Sequence, residues 1–304
     1  MDKTKEGEQL LNGMKILIAG GDARYIEVID MLTEHNAQLY LAGFSQLNIN
    51  KQGVAKVNDL HQHIENMDAI VLPVAGIDDE GNVEAPYSDK PVKITDVLFK
   101  KTPDHCRIYS GTAKHQLKEM AKSANRKLTT LFSRDDLAIY NSIPTAEGAL
   151  KLAIENTKET VHGSTITVLG FGRVGVTVAR LFSAVGANVT VAVRKKAAFA
   201  RLYELGIAAI DMTALEQHAS KTDIFINTIP APVLTNSIIL KMKQSGLIID
   251  LASSPGGTDF NFAKQQGIHA LHALGLPGKT APKTAGRIIA TILQDELLSN
   301  HTID

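Results

Sequence analysis

From Met14 onward the chain alternates short apolar runs with longer stretches whose apolar residues recur three and four positions apart. This is the rhythm of strands and amphipathic helices in a parallel α/β protein. Residues 14–19 read as a strand, 24–36 as a helix and 38–42 as the next strand, with strands again at 69–74, 106–110 and 128–132 and a helix over 114–127. A polar, glycine- and proline-bearing stretch at 76–91 predicts a long surface excursion. Five such strands predict a flavodoxin-like sheet, whose strand order the pattern does not contain.

The alternation resumes at 164–169 and continues through strands at 188–194, 223–228, 247–251 and 269–274, with helices expected near 212–219, 235–244 and 259–266. Between the halves, residues 144–156 predict a helix with Pro144 in its first turn, and a second helix is expected over 284–298. The fold class expected is α/β: two Rossmann-like parallel-sheet domains with an interdomain cleft, joined by two helices, with ligands in the cleft. The boundaries are a flexible extension at 1–13, a flavodoxin-like substrate domain at 14–143, an interdomain helix at 144–160, a Rossmann domain at 161–278, and a C-terminal helix at 279–304 returning to the first domain.

One turn carries a specific chemistry. Gly170-Phe171-Gly172-Arg173-Val174-Gly175 follows an apolar strand and opens a helix, the context in which G-x-G-x-x-G binds a dinucleotide. Gly170 makes the turn, Gly172 lets backbone N–H groups reach the diphosphate, and Gly175 lets helix and strand pack closely, while the helix start favours negative charge. The next strand ends in Arg194-Lys195-Lys196, where an acidic residue would bind an NAD ribose; Arg194 lies nineteen residues beyond Gly175, near the usual interval. Positive charge there predicts NADP, with NAD as the alternative cofactor. Asn227, Thr228 and Pro230 leave the carboxyl end of one strand and Ser253 that of another, so they are candidates to position the nicotinamide end or serve turn chemistry alone. Asp250, inside an apolar strand end, reads as a structural hydrogen-bonding residue.

The 304 residues exceed the usual single-domain size and favour two domains. Thirty-two basic residues balance thirty-two acidic ones, so nothing points to nucleic acid or an anionic membrane. No apolar run is long enough to span a bilayer, no signal segment is visible and the single cysteine, Cys106, reads as core, so a soluble cytoplasmic protein is expected. The histidines, His61, His63 and His272 among them, form no evident triad or metal set, and no metal is predicted.

Outside the nucleotide turn, Gly20-Gly21-Asp22-Ala23-Arg24 resembles a phosphate loop without the three-glycine spacing. Its Asp22 and Arg24 either face the cleft or serve as a helix cap and a surface cation. Ser110 ends a strand with hydroxyl and N–H groups suited to a carboxylate or to a cap. Asn141, Ser142 and Thr145 lie where the chain crosses between domains, and Lys283 lies at the second crossing.

Four blocks, Gly20-Gly-Asp-Ala-Arg24, Arg134-Asp-Asp-Leu-Ala-Ile-Tyr-Asn-Ser-Ile-Pro-Thr-Ala-Glu-Gly148, Leu251-Ala-Ser-Ser-Pro-Gly-Gly-Thr-Asp-Phe260 and Gly275-Leu-Pro-Gly-Lys-Thr-Ala-Pro-Lys-Thr-Ala-Gly286, resemble the A-subunit family of dipicolinate synthase. The resemblance covers nearly the whole chain after Gly13. Lys114 and Ser254 depart from the pattern, where a smaller or amide side chain and an arginine are expected. The resemblance implies oxidation of a dihydrodipicolinate-level intermediate of the lysine pathway to pyridine-2,6-dicarboxylate in the mother cell of a spore-forming bacterium. It also implies a partner, the smaller, flavoprotein-like B-subunit of dipicolinate synthase, and it leaves homo-oligomerisation open. Under it Arg24, Ser110, Asn141, Ser142, Thr145 and Lys283 are candidates to clamp a small dicarboxylate, with Asp22 as general base. Two alternatives stand beside this reading: an NADP-binding chain that organises the B-subunit without doing chemistry, and a stand-alone amino-acid or hydroxy-acid dehydrogenase.

Overall fold

In the computed structural model, which describes residues 11–301, the apolar runs become two parallel six-stranded sheets. The chain divides into two units, residues 11–137 with 282–301 and Ala138–Ala281. In the first unit the strands are β1 (Lys15–Ala19), β2 (Gln38–Ala42), β3 (Val54–Lys56), β4 (Ala69–Val71), β5 (Asn82–Val83), β6 (Val92–Lys93), β7 (Arg107–Ser110) and β8 (Leu128–Thr130). The sheet runs β3-β2-β1-β4-β7-β8, and β5 with β6 forms a separate antiparallel pair. β1 pairs with β2 and with β4, Ile18 facing Leu41 and Val71, and is buried on both faces, which is why its sequence is continuously apolar rather than alternating.

Helix Arg24–Glu34 turns Tyr25, Val28, Ile29 and Leu32 toward this sheet. Helix Pro282–His301 packs along it and adds Ile289, Leu293 and Leu297 to the same core. Each such large aliphatic side chain contributes about 1.5–3 kcal/mol on burial. The Tyr25 hydroxyl, inside that core, donates to the Leu72 carbonyl at 2.7 Å. Cys106 is buried in this unit as well, and burial pushes its thiol up to about 12, so it stays a protonated core side chain at neutral pH.

The second unit contains β9 (Thr165–Leu169), β10 (Asn188–Val193), β11 (Ala208–Asp211), β12 (Ile224–Asn227), β13 (Leu247–Asp250) and β14 (His269–His272), in the order β11-β10-β9-β12-β13-β14. Val168 of β9 faces Val191 of β10 and Ile226 of β12. Both sheets therefore have the doubly wound order 3-2-1-4-5-6, with the connection reversing direction beside β1 in one and beside β9 in the other. Ligands of such sheets bind outside the carboxyl ends of the strands at that reversal.

Several elements differ from expectation. Each sheet has a strand that its apolar pattern did not reveal, β3 and β11, both short and largely exposed edge strands. The first sheet is thus six-stranded rather than a five-strand flavodoxin-like set. The helix expected to begin at Pro144 runs over Asp135–Asn156 with Pro144 inside it, and the division between units falls within it. Pro144 gives no N–H to the Tyr140 carbonyl, yet the helix continues because Ala146, Ala149 and Ala153 bury its following turns in the core. The helices expected at 212–219 and 235–244 shorten to Leu215–His218, between 3-10 turns, and Asn236–Ile239. Of the expected N-terminal extension, residues 1–10 lie outside the described residues, as do 302–304 of the C-terminal segment. Leu11 is core, 2 % exposed, with its N–H on the His35 carbonyl. No described helix is long and apolar enough to cross a membrane.

Candidate functional site

The turn after β9 leaves the start of its helix open. Gly170 leaves the strand at φ +92°, a region that disfavours side chains, and a Cβ there would stand 2.7 Å from the Thr228 hydroxyl. Gly175 is buried, and a Cβ on it would collide with the Gly170 carbonyl, so the helix closes on the strand only with glycine at this place. Gly172 caps helix Arg173–Ala184 without a side-chain bond, is exposed, and has open space where a Cβ would project. The first N–H groups of the helix are therefore presented outward with the positive end of the helix dipole behind them.

Gly170 through Val174 line a groove of about 430 Å³ together with Val193 at the end of β10, Arg194 and Lys195 beyond it, and Thr228, Ile229 and Pro230 past the end of β12. Phe171 and Val174 supply its apolar wall. Arg194 and Lys195 are exposed, and no carboxylate pairs with either among the described residues. The donor set fits a dinucleotide diphosphate, with two uncompensated cations at the groove's far side.

Two expected nicotinamide-end ligands have other work. Asn227 is fully buried; its amide donates to the Ile229 carbonyl at 3.0 Å and to Asp250 Oδ1 at 2.9 Å, while its oxygen accepts from Ile229 N–H. Both amide hydrogens are committed, so Asn227 shapes the loop rather than offering a donor. The Thr228 hydroxyl donates to the Leu169 carbonyl at 2.8 Å. Asp250, also fully buried, accepts from Ala252 N–H, Gly257 N–H and the Thr258 hydroxyl, and so folds the loop after β13 over its own carboxylate. Ser253 is exposed on that loop and Pro230 is exposed after β12.

In the first unit, Asp22 and Arg24 form a two-point ion pair. Arg24 Nε donates to Asp22 Oδ1 at 2.9 Å and Nη2 to Oδ2 at 2.7 Å, and the Arg24 backbone N–H also donates to Oδ1. Burial alone would push the Asp22 carboxyl up, but the Arg24 hydrogen bonds and charge outweigh it and hold it below the usual range. A carboxylate held ionised this way is a weak proton acceptor, and Asp22 takes the Arg24 N–H and anchors its guanidinium. The third guanidinium nitrogen, Nη1, has no partner among the described residues.

The remaining substrate candidates separate into engaged and open groups. The Ser110 hydroxyl is buried and donates to the Thr112 carbonyl at 2.7 Å. Ser142, 1 % exposed, donates to the Ile139 carbonyl and shares a 2.6 Å contact with the Thr177 hydroxyl, and Thr145 donates to the Asn141 carbonyl. All three hydroxyls serve their own backbone. The Asn141 side chain is partly exposed, and Lys283, at the start of helix Pro282–His301, is exposed with no ion-pair partner among the described residues.

His272 drew no role from the sequence. It is the last residue of β14, exposed, with Nε2 3.1 Å from the Ala252 carbonyl and its ring 5.1 Å from that of Phe260. Its place at the carboxyl end of a predicted strand was the available signal.

Comparison with known proteins bears on what these sites do. Residues 15–132 match the family model for the N-terminal domain of the dipicolinate synthase A-subunit, and residues 114–285 match that for the alanine dehydrogenase/PNT C-terminal domain. The chain is 48 % identical to the A-subunit of dipicolinate synthase from Bacillus subtilis (strain 168), over 93 % of this chain and 96 % of that protein. The crystal structure of the corresponding protein from Bacillus halodurans superposes with a TM-score of 0.93 at 44 % identity, covering 95 % of this chain and 99 % of that one. A transhydrogenase from Sinorhizobium meliloti superposes at 0.68 with 16 % identity, covering 93 % of both chains, which is a likeness of fold.

Proposed function

The chain belongs to the A-subunit family of dipicolinate synthase, and on that premise we propose that it oxidises a dihydrodipicolinate-level intermediate of the lysine pathway to pyridine-2,6-dicarboxylate with NADP. The dehydrogenase-type second domain makes it an oxidoreductase that uses a nicotinamide cofactor. NADP rather than NAD is our reading of the charge at Arg194 and Lys195. The backbone N–H groups of Gly172, Arg173 and Val174 hold the diphosphate, and Arg194 and Lys195 hold the ribose phosphate. When bound, the nicotinamide supplies a hydride acceptor.

Because the product ring is aromatic, the chemistry has its own driving force, and the protein's work is to orient the substrate and neutralise its two carboxylates. Arg24, through the nitrogen that Asp22 leaves unpaired, and Lys283, both of the first unit, are the two cations we assign to them. Asp22 acts by fixing the guanidinium plane. Ser110, Ser142 and Thr145 hold backbone in place and contribute no direct clamp.

The observation that carries this reading is the open Gly172 turn with unpaired Arg194 beside it. Titration of the purified chain with NADPH and NADH, followed by nucleotide fluorescence, should show uptake with preference for NADPH. Arg194→Asp should weaken NADPH by about 10–100-fold, the worth of one charge-assisted hydrogen bond, and leave NADH nearly unchanged. No uptake of either nucleotide overturns the redox assignment, and equal loss for both overturns the NADP assignment. We also propose the smaller B-subunit of dipicolinate synthase as partner and action in the mother-cell cytoplasm of a sporulating bacterium. Mixing the chain and NADP with enzymatically generated substrate, with and without the B-subunit, tests the division of labour. Product from this chain alone supports catalysis here, and product from the partner alone would make the chain a nucleotide-binding organiser.

A further inference from the structure

We infer that His272 is the proton acceptor of the oxidation, an inference that rests on the reading above. The nucleotide groove occupies the β10 side of the reversal beside β9, between Gly170–Val174 and Arg194. What remains at the carboxyl ends of this sheet is the surface over β12, β13 and β14, where the other end of a dinucleotide held at the Gly170 turn would lie. Of the side chains that surface presents, Asn227 and Asp250 are buried and fully hydrogen-bonded, and the Thr228 hydroxyl is bound to backbone. His272 ends β14 in an exposed position and is the group there suited to accept a proton near neutral pH.

Its tautomer is fixed by its neighbours. The Ala252 carbonyl 3.1 Å from Nε2 can only accept, so Nε2 carries the hydrogen and the neutral ring has its lone pair on Nδ1. The Phe260 ring, 5.1 Å away at 30°, holds the imidazole plane. Beneath it lies Asp250: a Cβ on Gly256 would stand 3.2 Å from Asp250 Oδ2 and 3.3 Å from His272 Nε2, so one glycine separates the buried carboxylate from the ring. A bound oxidised nicotinamide would supply the hydride acceptor, so one ring C–H of the dihydropyridine would break with its electron pair leaving as hydride. A second ring hydrogen leaves as a proton to Nδ1, its bonding pair joins the aromatic ring, and the imidazolium then releases the proton to water.

His272→Gln tests this, because the glutamine amide reaches where Nε2 stands and keeps the bond to Ala252 while removing the base. NADPH uptake by fluorescence titration should be unchanged, KM nearly so, and kcat lower by about 10²–10⁴-fold. In His272→Ala, added imidazole should restore part of the lost rate. A readout independent of turnover is calorimetry of dipicolinate binding to the NADPH complex in two buffers of different ionisation enthalpy, at a pH about one unit above an ordinary histidine pKa of roughly 6.5. The wild-type chain should take up a proton as the anionic product settles against the imidazolium, and His272→Gln should not. Near-wild-type kcat in the glutamine variant, equal proton uptake by both chains, or loss of NADPH binding in the variant would each overturn the assignment. Failure of the wild-type chain to bind NADPH would instead overturn the proposed function.

Discussion

Two glycine turns stand at the same place in two sheets of the same strand order, and they have opposite fates. After β1, Gly20 N–H donates to the Ala42 carbonyl at 2.8 Å and Gly21 N–H to the Glu84 carbonyl at 2.7 Å, and the Arg24 N–H at the helix start is taken by Asp22. After β9, Gly170 N–H makes the equivalent bond to Ala192 at 3.1 Å, but the helix beyond Gly172 has no side-chain cap. In the first unit the excursion between β4 and β7, carrying Glu84, and the Asp22 carboxylate take two of the donors that a phosphate would use, the Gly21 and Arg24 N–H groups. Strand order creates the opportunity for an anion site, and the two turns differ in how many of their N–H groups are already engaged.

The largest test of that contrast is Gly175→Ala. Its new Cβ meets the Gly170 carbonyl, so nucleotide affinity should fall at least about 100-fold and stability by about 1–3 kcal/mol, read by NADPH titration and thermal unfolding. Next, calorimetry should count one nucleotide per chain; two would mean that the Gly20 turn is open after all. Asp22→Asn should lower stability by about 1–2 kcal/mol, since it unpairs Arg24 in a half-buried setting, yet leave NADPH affinity unchanged. It should also raise substrate KM if Arg24 is misaimed.

The smallest effect is electrostatic. The Arg134 hydrogen bonds hold the exposed Asp136 carboxyl down to about 2. A carboxyl depressed on folding contributes stability above its unfolded value and loses it as pH falls through the folded one. Acid unfolding of the wild-type chain should therefore steepen between about 4, the unfolded aspartate range, and about 2. Asp136→Asn should flatten that interval slightly, and an unchanged acid profile would remove the pair from the balance.

Much of the fold was legible because β1, β12 and β13 are buried on both faces and read as near-continuous apolar runs. The edges were not. β3 and β11 bury too little to leave a pattern and exist because β2 and β10 offer them a ladder. Ser142 and Thr145 were expected at a crossing beside a helix-starting proline, but burial of Ala149 and Ala153 carries the helix through it, and the Ser142 and Thr145 hydroxyls turn back onto the preceding turn.

The Gly170–Gly175 turn and the Arg194–Lys195 pair were determined by sequence, because glycine spacing and local charge act within a few residues of each other. Tertiary structure alone decided that Gly20 and Gly21 donate inward, to Ala42 and Glu84, and that His272 Nε2 lies against the Ala252 carbonyl. Each of those outcomes depends on a carbonyl or charge brought in by another part of the chain, or on how a loop folds back, and hydrogen bonding is settled by which partner arrives.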